Sequence, residues 1–476
     1  MTLDPQLCSR ARLARDARFD GKFYIGVLTT RIYCRPICRA RTSQERNVRY
    51  FPTAAAAAEA GFRPCLRCRP ECSPGTAVWA GTKNTVSRAL RLINESGLEE
   101  GGIEALAAHL GLGSRHLRRL FMRHLGASPR AVAQTRRLHF AKKLIDETAL
   151  QMTQVAIASG FGSVRRFNAA IYKVYQRTPT QLRERARGAA QPENQYLLHL
   201  HYRPPYAWRE MLGMLARQAT PGVESVEGGC YRRTISLQGV HGYLEVAVDE
   251  AHHALEVRAS IEEPRSLFQI IERVRAMFDL SADWPIIERT LEADRALAPR
   301  LRARPGLRVA GCWSGFELAV RALLGKEGGR RATVLAGALA AALGTPMNLA
   351  PGLTHLFPGP QALARADLRR LGLGKAQSEA VRALALAVEE GRIGFERIAD
   401  PDALLAQLAA LPGFTPQLIQ YVAMRALREP DAFPLSASAV AGVLDIDPAD
   451  VARRSGGWRP WRAYASVYLS MPGMLE

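Results

Sequence analysis

Two cysteine pairs constrain this chain more tightly than anything else in it. The stretch "RIYCRPICRARTSQERNVRYF" carries Cys34 and Cys38, and "GFRPCLRCRPEC" carries Cys65 and Cys68. A disulfide staple, a metal centre and a reactive thiol are all open to such pairs. The spacing is Cys-x3-Cys, a gap of 26 residues, then Cys-x2-Cys. Each pair can reach one ion from a single turn, and the intervening segment closes the loop. Four soft ligands so arranged predict a tetrahedral zinc site. Eight cysteines in 476 residues do not make a disulfide framework. The other four, Cys8, Cys72, Cys230 and Cys312, read as spare or buried thiols.

A purely structural zinc site does not need its arginines. Arg31, Arg35, Arg39, Arg41, Arg46, Arg63, Arg67 and Arg69 surround the cysteines, and guanidinium forks suit phosphate oxygens. A metal-bound cysteine is a thiolate, the nucleophilic form. Charge makes the same point on a larger scale. Residues 1–190 hold 33 Lys and Arg against 13 Asp and Glu, whereas the remainder holds 32 against 31. An excess confined to one part of the chain predicts a polyanion as its partner, and nucleic acid is the foremost candidate. No apolar run is long enough to span a membrane, and no signal peptide is evident, so a cytoplasmic protein is expected.

The segment "FDGKFYIGVLTTRIYCRPICRARTSQERNVRYFPTAAAAAEAGFRPCLRCRPE" resembles the zinc domain of Ada-type adaptive-response regulators of alkylation repair, over about residues 15–72. The resemblance implies a domain that takes a methyl group from a DNA methylphosphotriester, irreversibly, onto one zinc-bound cysteine. That acceptor corresponds to Cys34, with Cys38, Cys65 and Cys68 completing the zinc set and Arg31, Arg35, Arg39, Arg41, Arg63 and Arg67 meeting DNA. It also implies a switch, because methylation removes a thiolate charge and so weakens repulsion from phosphate.

Residues 80–187 carry helical periodicity twice over. "IEALAAHLGLGSRHLRRLFMRHLG" and "TQVAIASGFGSVRRFNAAIYKVY" place Gly111 and Gly160, and Ser114 and Ser163, 49 residues apart. The serines are predicted to cap the second helix of each pair. Helix, turn and capped helix predict two helix-turn-helix units joined by a helix over "QTRRLHFAKKLIDE". The arrangement is similar to the DNA-binding domain of AraC-type activators. Its candidate recognition residues are Arg115, His116, Arg118 and Arg119, then Arg165, Arg166 and Asn168. Activators of this type imply RNA polymerase as a further partner, beside alkylated DNA and promoter sites.

After the linker, strands and a helix give way to a helical pattern from about residue 264. Residues 194–476 resemble AlkA-type alkylbase glycosylases, a helix-hairpin-helix fold behind a small α+β domain. "PPYAWREMLGMLA", "ARPGLRVAGCWSGFELAVRALLG", "LPGF" and "WRPWRAYA" carry the match. Such enzymes flip a base from the duplex, and a carboxylate stabilises the charge that develops as the base leaves. Carried across, that Asp becomes Ala437, two pocket tryptophans become Gln417 and Ser470, and Tyr421 is retained. The wedge that fills the gap becomes Glu327, and the hairpin glycine becomes Thr415, which cannot take a glycine's backbone angles freely. Related enzymes with a Schiff-base lysine carry it where Gln417 stands. Asp431, Asp445 and Asp447 are nearby acids with expected surface or capping roles.

The expectation is a multidomain, mainly α protein. A small zinc α+β domain (1–78), an AraC-type tandem helix-turn-helix (79–187), a linker (188–193), a small α+β domain (194–263) and a helix-hairpin-helix, all-α glycosylase-like region (264–476) follow in order. Two other readings stand beside a methyl-accepting activator with a degenerate glycosylase half. One keeps that half as a working DNA-3-methyladenine glycosylase, and the other is a plain transcription factor whose zinc is structural.

Overall fold

The computed structural model describes residues 3–74, 85–96, 101–185, 192, 194–325, 329–398 and 400–471. They form two compact units, Met1–Pro204 with Asp249–Glu272, and Pro205–Val248 with Arg273–Glu476. The expected small α+β domain is thus divided between the units. The 78/79 boundary, Glu327 and all of the linker except Pro192 lie outside the described residues. About half of the chain is helical, with small sheets. Among the described residues no helix is long and apolar enough to cross a membrane.

The first unit opens with a four-stranded sheet in the order β3-β1-β2-β4, where β1 is Tyr24–Val27, β2 Ile32–Cys34, β3 Val48–Phe51 and β4 Arg63–Pro64. β1 runs antiparallel to β2 and β3, and β2 runs parallel to β4. Gly26 sits mid-strand because nothing larger fits: a Cβ there would lie 2.7 Å from the Phe51 ring and 2.8 Å from that of Phe62. The short helix Ala54–Glu59, capped by the Thr53 hydroxyl, covers the sheet.

The sheet shares its core with the helices that follow. Tyr33, Phe51 and Phe62 belong to one apolar cluster with Val86, Leu117, Phe121 and Leu125. The predicted helix-turn-helix pairs are Gly102–His109 with Ser114–Leu125, and Met152–Ala158 with Val164–Tyr175. The helix Pro129–Glu147 joins them. Both turn glycines, Gly111 and Gly160, take positive φ, +69° and +72°. The caps differ from expectation. Ser163 caps its helix by accepting from the Arg166 N–H, but Ser114 is already helical and Gly113 holds the cap position. The second turn is therefore one residue longer. From the caps onward the repeat is 50 residues, matching buried Leu117 and Phe121 to buried Phe167 and Ile171.

A buried ionic cluster closes the C-terminal end of the joining helix. Arg69 pairs with Asp146 and Glu147, each at 3.0 Å. Lys142 reaches Asp146 at 2.5 Å and Lys143 reaches Glu147 at 2.7 Å. Lys143 also donates to the His199 carbonyl, and Glu147 accepts from the His199 N–H. His199 lies on β5 (Gln195–His201), which pairs antiparallel with β9 (Ala254–Ile261).

In the second unit β7 (Cys230–Leu237) pairs with β6 (Glu224–Glu227) and with β8 (Val240–Asp249). The helices that follow bury one core that includes Phe316, Val320, Leu339, Leu384 and Val422. The region expected to be all helical also holds a two-stranded hairpin, Pro346–Ala350 with Leu353–His355. It turns through Gly352 at φ +78°, and the Thr234 hydroxyl donates to its His355 carbonyl. In the helix-hairpin-helix, Pro401–Ala409 and Pro416–Arg425 flank the turn. Thr415 is not strained there. It is extended, at φ −80°, and its hydroxyl caps the second helix, while the left-handed conformation falls on Gly413.

Burial pushes the Glu147 carboxyl up, but Lys143, the His199 hydrogen bond and Arg69 outweigh it and hold the group well below the ordinary 4.5. Its contribution to stability is present above that ordinary value and is lost as pH falls below it. Glu147→Gln leaves Lys143 buried without its counter-charge, and we expect a loss of about 3–5 kcal/mol at pH 7. Urea unfolding of parent and variant at pH 7 and pH 3.5 should show this gap shrinking at the lower pH.

Candidate metal centre, DNA-facing helices and glycosylase-like pocket

β2 delivers Cys34 at its end, and the turn after it delivers Cys38, whose N–H donates to the Arg35 carbonyl. β4 runs directly into Cys65, whose N–H donates to the Tyr33 carbonyl, and a further turn brings in Cys68. The four Sγ atoms lie within 4.8 Å of one another. The thiols compete for protons. Their mutual hydrogen bonds pull Cys38 and Cys65 below an ordinary thiol and push Cys34 and Cys68 above it. Four convergent soft donors at this spacing fit a tetrahedral zinc ion. The residues that would hold it are Cys34, Cys38, Cys65 and Cys68.

The arginines around the centre fall into two groups. Arg31, Arg39, Arg41, Arg46 and Arg67 are exposed and Arg63 is half-buried. The Arg31 guanidinium lies 4.9 Å from the centre of the Phe62 ring. Arg35 does not belong with them, which corrects its expected role in meeting DNA. It is 5% exposed, its Nε donates to the Asp20 carboxylate at 2.9 Å and its Nη1 donates to the Cys68 carbonyl at 3.0 Å. Its backbone N–H points to the Cys68 Sγ at 3.3 Å. Arg69 is likewise drawn inward by Asp146 and Glu147. Asp20 carries no signal in the sequence, because its importance lies in a contact across 15 residues.

On the helices, Arg115, His116, Arg118 and Arg119 are all exposed, as are Arg165, Arg166 and Asn168. The 50-residue repeat sets Arg115 against Arg165, His116 against Arg166 and Arg118 against Asn168. One helical face is thus presented twice, on Ser114–Leu125 and on Val164–Tyr175. Arg118 also pairs with Glu104 at 3.1 Å.

The second unit contains a cavity of about 610 Å³ lined by Gln417, Tyr421, Ser470 and Thr415, with Arg217, Arg321 and Arg425. The pocket positions read from the sequence therefore converge. Ala437 is exposed and begins the helix Ala437–Leu444 behind the Ser436 cap. No carboxylate lines the cavity among the described residues. Asp431 is taken by Arg459 and Arg462 at 2.9 and 2.7 Å. Asp445 ends the helix in a left-handed conformation, and Asp447 caps the next turn. The three arginines were not legible as pocket residues, since they lie on three helices far apart in sequence. Arg425 donates to Gln218 Oε1 and to the Tyr421 hydroxyl, both at 2.9 Å, and Arg321 reaches Glu224 at 3.0 Å.

A tetrathiolate zinc centre, a doubled helix-turn-helix and a glycosylase-like half define a regulator joined to a DNA-repair fold. Comparison with known proteins agrees in each part. Family models match for the metal-binding domain of Ada at residues 7–71, a helix-turn-helix domain at 106–185 and the AlkA N-terminal domain at 197–314. A Mycobacterium tuberculosis protein named "Probable bifunctional transcriptional activator/DNA repair enzyme AlkA" is 38% identical over 98% of this chain and 96% of its own. DNA-3-methyladenine glycosylase 2 of Escherichia coli is 31% identical over 57% of this chain and 95% of its own. The Escherichia coli bifunctional activator/repair enzyme Ada is 39% identical over 26% of this chain and 33% of its own. The chain belongs to the family of bifunctional transcriptional activator/DNA repair enzymes.

Proposed function

We propose that Cys34 accepts a methyl group from a DNA methylphosphotriester in a single irreversible turnover. The observation that carries this reading is the convergence of four cysteines beside exposed arginines on a DNA-binding body. Zinc, when bound, keeps the cysteines as thiolates at neutral pH. The Cys34 sulfur, half-exposed at the end of β2, attacks the methyl carbon. The S–CH3 bond forms as the CH3–O bond breaks, and the electron pair remains on the phosphodiester oxygen, so no proton moves. Arg31, Arg39, Arg41, Arg63 and Arg67 hold the flanking phosphates. Conversion of a thiolate to a neutral thioether removes one negative charge facing DNA, which strengthens promoter binding. In this reading the protein works in the cytoplasm, where its DNA lies, and the bound activator meets RNA polymerase. With DNA bearing labelled methylphosphotriesters, the parent should take up one methyl per chain and Cys34→Ala none. Uptake by the variant would remove Cys34 from this role, and no uptake by either would leave the zinc structural.

In this reading Arg115 and Arg165, exposed on the two matched helices, meet the duplex. Arg165→Ala should weaken promoter binding and flatten the slope of log affinity against log salt by about 0.9 if its contact is to a phosphate.

We further propose that the glycosylase-like pocket does not excise alkylated bases. The support is the absence of a lining carboxylate together with three arginines, since guanidinium groups oppose the cationic character that a departing base leaves on the sugar. Base release from methylated duplex DNA, followed with the full chain, should stay at background. Ala437→Asp should raise release if the cavity still admits a base. Release by the parent would show that another acid serves.

A further inference from the structure

We propose a second metal site in the first unit, a half-open centre for a divalent transition cation built from His199, Asp249 and Glu256. The three side chains bring one ligand atom each to within 4.8 Å of the others, and all three are half-buried. Two of them are fixed by the sheet, where His199 on β5 lies directly opposite Glu256 on β9. Their facing atoms, His199 Nε2 and Glu256 Oε1, are 3.7 Å apart. That is too long for a hydrogen bond. It is close to the roughly 3.4 Å between two ligands of one tetrahedral ion with metal–ligand bonds near 2.1 Å. Asp249 closes the third side from the end of Val240–Asp249.

The surroundings match what a metal-binding imidazole and carboxylate need behind them. The far ring nitrogen of His199, Nδ1, faces Glu147 Oε2 at 3.8 Å. Glu147 is held in place by Lys143 and by the His199 backbone N–H at 3.0 Å. At that distance the carboxylate acts on the ring through its charge, while Nε2 faces Glu256. Asp249 is steadied by hydrogen bonds from the His252 ring at 2.6 Å and the His252 N–H at 3.1 Å. A carboxylate oxygen has lone pairs enough for both a hydrogen bond and a metal. Glu147 and Glu256 set two carboxylates about the imidazole, at 3.8 and 3.7 Å, a setting that favours a bound cation.

The donor set differs in kind from the four thiolates. One imidazole and two carboxylates suit zinc, manganese or cobalt with water in the remaining positions, and do not compete for the soft cysteine site. The cation would tie the strand leaving the helix-turn-helix region to Asp249 and to β9.

The test uses the full chain, loaded with zinc at the cysteines and then titrated with Co2+. The expected result is one added cobalt per chain, with weak visible bands of nitrogen and oxygen ligation and no thiolate charge-transfer absorption. The zinc stays at one per chain, and the unfolding midpoint rises. In His199→Gln the added cobalt and the rise in midpoint should both be lost while the zinc remains. If that variant misfolds by circular dichroism, Asp249→Asn serves in its place. A parent that binds no second metal, or a second equivalent that survives these substitutions, would falsify the site.

Discussion

The buried pair between Asp20 and Arg35 turns two cysteine loops into one site. Arg35 follows Cys34 in sequence, yet its fork holds the carbonyl of Cys68 as well as the Asp20 carboxylate. The Asp20 backbone carbonyl accepts from Arg203 at 2.7 Å. Neither charge can be buried alone, because each would cost several kcal/mol. The pair therefore persists only as a complete set, and it fixes the spacing of the two loops. It also sets the Arg35 backbone N–H toward the Cys68 sulfur at 3.3 Å. The exposed arginines face the opposite problem. They stay solvated, which suits the capture of phosphate rather than the shaping of a site.

Much of this was legible in the sequence, and the boundary between legible and hidden is physical. Metal-ligand spacing is local, so Cys34, Cys38, Cys65 and Cys68 could be named from their order alone. The helical repeat could be found from Gly111 and Gly160, since a positive φ restricts the residue that fills it. What escaped were features fixed by distant contacts. Arg35 resembles its neighbours by composition and is set apart only by Asp20. Ser114 looks like a cap, but the first turn is one residue shorter than the second, so Gly113 takes that position. Thr415 looked strained because the neighbouring Gly413 could not be known to carry the turn.

The pocket of the second unit keeps the cavity of its fold while the charge on its wall comes from arginines. Gln417, Tyr421 and Ser470 converge where the sequence placed them, and the cavity remains roomy at about 610 Å³. Its polarity comes from Arg217, Arg321 and Arg425 rather than from an acid. The acids nearby have other work: Asp431 binds two arginines, Asp445 ends a helix, and Asp447 caps the start of the turn that follows. A shape preserved by packing and a charge pattern altered at the wall are independent properties, because packing is sensitive to volume and electrostatics to sign.

The common core of the cysteine domain and the first helix-turn-helix limits how this protein can be divided. Phe62 and Phe51 share one cluster with Leu117, Phe121 and Leu125. Cutting the chain between them would expose these faces on both halves, at about 1.5–3 kcal/mol per large side chain. Grafted elsewhere by its sequence limits, the four-cysteine region would carry that bare apolar face with it, unless the helices or a substitute apolar surface came along.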